Sequence, residues 1–216
     1  MNQLTKVFVL GLPRTGTTSI CSTLLSLNYH VAHTAYTQTT FEKANALADT
    51  PIFNDYKELF HYYPNSQFIY LTRESEKWVP SIKQLLLRMY NNVVRDDGGF
   101  NPIIKRCYGE IFSPFTLENI NDDEFLIACY NKHKAAVTEF FEQQAYSVLF
   151  IDISKPDDYQ KLLSFLDKES YQDEHTGSGF PVLNQGGKVT AWKDLKHPHK
   201  IDSTKNGRSS TLNHIS

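Results

Sequence analysis

Lys6-Val-Phe-Val-Leu10, Gly11-Leu-Pro-Arg-Thr-Gly16, Thr17-Thr-Ser19 is the stretch that decides the fold. A short apolar run rich in β-formers and stopped by glycine reads as a buried strand. Past the loop, Ile20, Leu24, Leu25 and Leu27 recur at helical spacing, so a helix is expected over 17–27, closed by Asn28. Strand, glycine loop and helix in that order turn backbone N–H groups toward an anion. Gly11 and Gly16 permit a close backbone approach. Thr17 and Thr18 add hydroxyls where the helix begins, and Arg14 brings a planar fork of charged donors.

Outward from this stretch, the pattern alternates. A short extended piece is expected at 29–32 and helices at 40–48 and 55–63. The turn signal Pro64-Asn65 precedes a strong strand at 67–72. A long helix follows over 76–90, with Pro80 expected in or near its first turn. Asp97-Gly98-Gly99 reads as a loop, and the section after it as mostly helical, most clearly over 122–145. A third buried strand is expected at 148–151, then a helix at 156–166. Strands separated by helices imply parallel crossovers, hence an α/β fold of three layers, α/β/α, with a central parallel sheet. The expected organisation is one domain over 1–202, with a flexible tail over 203–216.

Composition narrows the function. The chain has 216 residues, enough for one domain with a full core, and 40% apolar and 21% charged residues suit a globular protein. A formal net charge of −2 gives no global basic field for nucleic acid or an anionic membrane, so an anion must be held by a local set of donors. No apolar run has the length of a membrane span, and residues 1–10 lack the zones of a signal peptide. Cys21, Cys107 and Cys129 are widely spaced, as expected of buried thiols in a cytoplasmic protein rather than of a disulfide or zinc framework.

Three readings of the loop compete. Nucleoside triphosphatases and kinases carry Lys directly after the second glycine, to reach the terminal phosphates; here that position is Thr17. The second reading is a transfer enzyme with another nucleotide, and the third a non-catalytic nucleotide-binding protein. Arg14-Thr15-Gly16-Thr17-Thr18 resembles the 5′-phosphosulfate loop of the sulfotransferases, which use 3′-phosphoadenosine 5′-phosphosulfate (PAPS). In that family a strand ends in Arg and a Ser follows eight residues later, both on the 3′-phosphate. Arg73-Glu-Ser-Glu-Lys-Trp-Val-Pro-Ser81 has this spacing after the strand at 67–72. The resemblance continues, toward a bacterial-type branch of small sulfotransferases, through Ala48-Asp-Thr-Pro51, Tyr63-Pro64 and Arg73 to Trp78. It reaches Gly179-Phe-Pro-Val-Leu-Asn184, which resembles a cap segment over the nucleotide, here 173–202; residues 89–144 are the least recognisable.

The resemblance implies a P-loop-like sulfotransferase fold and transfer of a sulfuryl group from PAPS to a hydroxyl or amine of a small-molecule acceptor, leaving adenosine 3′,5′-bisphosphate (PAP). It implies a donor site built from Pro13, Arg14, Thr15, Gly16, Thr17, Thr18, Ser19, Arg73 and Ser81, with Gly187 and Lys188 as further phosphate contacts. Arg14 falls to the sulfonate, with loop donors on the 5′-phosphate, and no metal is called for. The acceptor needs a base. Asp49, in the Asp-x-Pro segment, is the first choice and His33 the alternative, because another branch of the family uses His. A monomer or homodimer is expected, without nucleic-acid or membrane partners.

Overall fold

The structure, a computed structural model, describes residues 5–170, 179–180 and 192–203. Five parallel strands form the sheet in the order β2-β3-β1-β4-β5. These are β1 Val7–Val9, β2 Val31–Ala32, β3 Ala46–Ala48, β4 Gln67–Leu71 and β5 Val148–Ile151. Register is continuous across the centre: Val9 aligns with Ala48 on one side and Ile69 on the other.

Alternation along the central strands builds two cores. Val7, Val9, Ala46, Ala48, Ile69 and Leu71 point to one face and pack with Ile20, Leu24 and Leu25 of α1 (Thr17–Ser26) and Leu162 and Leu163 of α8 (Pro156–Phe165). Phe8, Leu47, Phe68 and Tyr70 point to the other. There they meet Phe41 of α2 (Gln38–Lys43), Tyr56 and Leu59 of α3 (Tyr56–Tyr62), and Val137 and Phe141 of α7 (Asp123–Gln143). A strand with helices on both faces must be apolar on both, which is why β1 reads as an unbroken apolar run. The α/β/α layering expected from the sequence is the observed one.

A third apolar cluster lies beyond the sheet, between α4 (Ser75–Val94), α5 (Pro102–Ile111), α6 (Leu117–Asn121) and α7. It includes Leu12 and Trp78 and so backs the glycine loop directly. Within the core, His133 donates from Nε2 to the Phe53 carbonyl at 2.7 Å and accepts from the Tyr70 hydroxyl at 3.0 Å. Burial holds its pKa down to about 4, so it serves as a neutral strut.

Three local expectations need correction. The helix expected over 40–48 is two elements: α2 ends at Lys43, and Ala46–Ala48 is strand β3. Alanine favours helix, but this segment sits hydrogen-bonded between β1 and β2, and tertiary pairing overrides a weak local preference. Asp49 therefore follows a strand, not a helix. Pro80 is the sixth residue of α4 rather than in its first turn. It lies on the exposed face, where the carbonyl of exposed Glu76 can bond water in place of the missing N–H. Finally, β5 is an edge strand whose first three residues are only half-buried. The loop, α1 and the strands at 67–71 and 148–151 stand within a residue or two of where the sequence puts them.

Candidate active site

From β1 the chain crosses past β3 to β2, and from β3 it crosses back past β1 to β4, so the connections of these two adjacent strands run in opposite directions. In an open parallel sheet, ligands bind at such a switch point, beyond the carboxyl ends of the strands. A cavity of about 830 Å³ occupies this position, within the range of small-molecule sites. Every strand end contributes to its wall. After β2 comes His33, after β3 Asp49, and after β1 the loop from Pro13 to Thr18; after β4 come Arg73 and Glu74, and after β5 Asp152, Ile153 and Ser154.

The loop is shaped by contacts that leave little freedom. A Cβ on Gly11 would stand 2.4 Å from Leu71 Cβ, and one on Gly16 would stand 2.3 Å from Ile153 Cδ1. Gly16 also has φ 110°, which a side chain would strain. Thr15 ties its hydroxyl to the Leu12 carbonyl at 2.7 Å. Trp78 donates from Nε1 to the Pro13 carbonyl at 3.0 Å, pinning the loop to the start of α4. Helix α1 begins at Thr17 with Gly16 as its cap and no side chain bonded to its first N–H groups. Those donors have no intrahelical partner and are free for a ligand.

The positive side of the cavity is compact. Arg73 Nη1 donates to the Arg14 carbonyl at 2.6 Å, and Arg14 Nε donates to Ser81 Oγ at 2.8 Å. Arg73 is steadied by its own N–H, which donates to the Tyr130 hydroxyl at 3.0 Å. Among the described residues neither Arg14 nor Arg73 forms an ion pair with a carboxylate. Burial, with Arg88 and Arg73 adding like-charge repulsion, lowers the Arg14 pKa from its usual value. Arg14 also has φ 73°, uncommon outside glycine, as does Asp49 at 57°; strained backbone of this kind collects at functional sites.

The opposite wall joins the two candidate bases. Asp49 Oδ2 accepts from the Thr17 hydroxyl at 3.2 Å and lies 3.9 Å from His33 Nε2. Its Oδ1 is held by the Thr50 N–H at 2.8 Å and the Thr50 hydroxyl at 3.1 Å. His33 Nε2 is 3.2 Å from Thr18 Oγ1, and Trp192 stacks on the ring at 5.5 Å between centroids. Burial lowers the His33 pKa; Asp49 opposes this and Lys200 reinforces it, so the imidazole is neutral at neutral pH.

A family model described as a sulfotransferase domain matches residues 6–40 and 34–189, most of the chain. The chain belongs to the sulfotransferase domain family. A search of curated proteins finds no match. This sulfotransferase domain has, among its described residues, no helix long and apolar enough to cross a membrane, and no group of three or more His, Cys, Asp or Glu placed to hold a metal.

Of the residues singled out in the sequence, Pro13 to Thr18, His33, Asp49, Arg73 and Ser81 all line the one cavity. Ser19 does not; it is buried in α1 behind the loop, and its carbonyl accepts from Thr23. Gly187 and Lys188 lie outside the described residues. Sequence reasoning missed Tyr108 of α5, Asp152 and Ser154 after β5, and Lys77 and Leu85 of α4, all on the cavity wall. Leu85 stands four residues beyond Ser81, one helical turn along the same face, and that spacing was a usable signal. Tyr108 had none, because residues 89–144 are where the resemblance is least recognisable.

Proposed function

We propose that this protein transfers a sulfuryl group from PAPS to a hydroxyl or amine of a small-molecule acceptor. The observation that carries this reading is a pair of guanidinium groups, Arg14 and Arg73, joined in one cavity with no carboxylate partner among the described residues. Half-buried cations left unpaired are costly unless an anion arrives. A donor with phosphates at both ends of its ribose meets both charges at once. The 5′-phosphosulfate belongs on the loop N–H groups, Thr17 and Thr18, where the start of α1 favours negative charge. The 3′-phosphate belongs beside Arg73.

In the reaction, the acceptor oxygen or nitrogen attacks sulfur in line. The bond from sulfur to the 5′-phosphate oxygen breaks, and its electron pair leaves with PAP. Charge developing on that oxygen is met by Arg14 and the loop donors, fixed in place before the reaction begins. Asp49 Oδ2 takes the acceptor proton, and neutral His33, 3.9 Å away, is placed to share it. Ser81 acts through Arg14, fixing the direction of the guanidinium.

Thermal unfolding with added nucleotides tests this reading. PAP at saturating concentration raises Tm by several degrees, because a ligand that binds only the folded state stabilises it by mass action. ATP and ADP leave Tm nearly unchanged. Stabilisation by ATP and not by PAP overturns the reading in favour of a kinase or nucleotide hydrolase. A screen of phenols, alcohols, amines and sugars against labelled PAPS then identifies the acceptor.

A further inference from the structure

One side chain on the cavity wall is unexplained by the chemistry above. Tyr108, on α5, is only 4% exposed and lines the same cavity as Arg14 and Asp49. Its ring packs edge-on against Phe53 at 6.1 Å, which fixes where the hydroxyl stands. That hydroxyl has no hydrogen-bond partner among the described residues, and its oxygen is not sealed in the core but opens on the cavity. Buried phenols ordinarily find one. Tyr108 is thus a donor held ready in the site with nothing of the protein to receive it.

We propose that the Tyr108 hydroxyl donates a hydrogen bond to a sulfonate oxygen of the bound donor, between Arg14 on the nucleotide side and Asp49 on the acceptor side. The inference rests on the PAPS reading above. Both residues act electrostatically on the phenol: Asp49 disfavours its ionisation and Arg14 favours it. Burial, the largest influence, pushes its pKa far up, so Tyr108 stays protonated and never competes with Asp49 for the acceptor proton. A neutral donor also suits this place. Arg14 already lies under repulsion from Arg73 and Arg88, and a further cation would deepen it. During transfer the bond from acceptor to sulfur forms and the bond from sulfur to PAP breaks, while the acceptor proton goes to Asp49 or His33. Tyr108 gains and loses nothing.

PAPS and PAP differ by the sulfonate alone, so their affinities isolate this contact without any acceptor. Calorimetric titration of the full chain and of Tyr108→Phe, which keeps the ring, provides the test. A hydrogen bond to a charged group is expected to show as about a tenfold loss of PAPS affinity in Y108F. PAP affinity should stay within about twofold, which also shows that the variant is folded. Equal losses for both nucleotides, or no loss for either, overturn the role of Tyr108 while leaving the donor reading standing. Wild-type protein that binds neither nucleotide overturns the donor reading and this inference with it.

Discussion

The cavity has two halves that differ in how they are made. On the donor half, Pro13 to Thr18, Arg73, Trp78 and Ser81 come from two strand-loop-helix segments that follow adjacent central strands, β1 and β4. Three contacts tie these two segments together, Trp78 to Pro13, Arg73 to Arg14 and Arg14 to Ser81, while Thr17 and Thr18 reach across to Asp49 and His33. The acceptor half draws His33 from the end of β2, Asp49 from the end of β3 and Tyr108 from α5, with Trp192 stacked on the His33 ring. Phosphate binding needs a fixed geometry that short motifs can encode. Recognition of a varied acceptor needs surfaces that can change one at a time, and elements distant in sequence supply them.

That division predicts that the two halves fail separately. Asp49→Asn gives the largest effect expected: a loss of turnover of about a thousandfold, the scale of removing a positioned base, with PAP affinity within about twofold. Turnover of labelled PAPS with the acceptor found by screening measures the first and calorimetry the second. Retained turnover would pass the base role to His33. Arg73→Ala is expected to behave in the opposite sense. It weakens PAP about a hundredfold, as loss of charged hydrogen bonds does, but adenosine 5′-phosphosulfate, which lacks the 3′-phosphate, less than about threefold. Equal weakening of both would remove Arg73 from the 3′-phosphate.

Two smaller effects sharpen the boundary. Trp78→Phe strips the donor from the buried Pro13 carbonyl, costing about 1–3 kcal/mol of stability by urea unfolding. It also weakens PAP several-fold, and it leaves the acceptor KM unchanged. Lys200→Met probes the acceptor half through pH. Lys200 and burial both lower the His33 pKa, so in the wild type the imidazole stays neutral below its ordinary value near 6.5. Removing the lysine charge raises that pKa, and activity is then lost at a higher pH on the acid side. A limb that moves down, or not at all, would detach His33 from the proton transfer.

What could be read from sequence follows the same line. Lys6–Leu10 with Gly11 and Gly16 determined a strand, a tight loop and a helix start, because apolar run, glycine placement and helical period are local properties. The Arg73–Ser81 spacing was legible for the same reason, and the resemblance it carries implied a second phosphate contact. The resemblance gives Ser81 to the 3′-phosphate; the fold adds that its hydroxyl, on the cavity wall, accepts from Arg14 Nε. The segment at 46–48 read as helix because alanine carries a weak local preference; only its place between β1 and β2 made it a strand.

Asp49 and His33 stood as rivals in the sequence, sixteen residues apart. Parallel pairing of β2 with β3 brings them to 3.9 Å and makes them neighbours. Tyr108 could not be found at all, since packing against Phe53 decides where its hydroxyl ends, not anything in its own surroundings along the chain. Local chemistry thus determined a glycine loop and a helix start, the part of the cavity to which we assign the donor. Long-range pairing and packing decided what stands opposite them, because only the closed sheet and its covering helices fix distances between groups the chain keeps far apart.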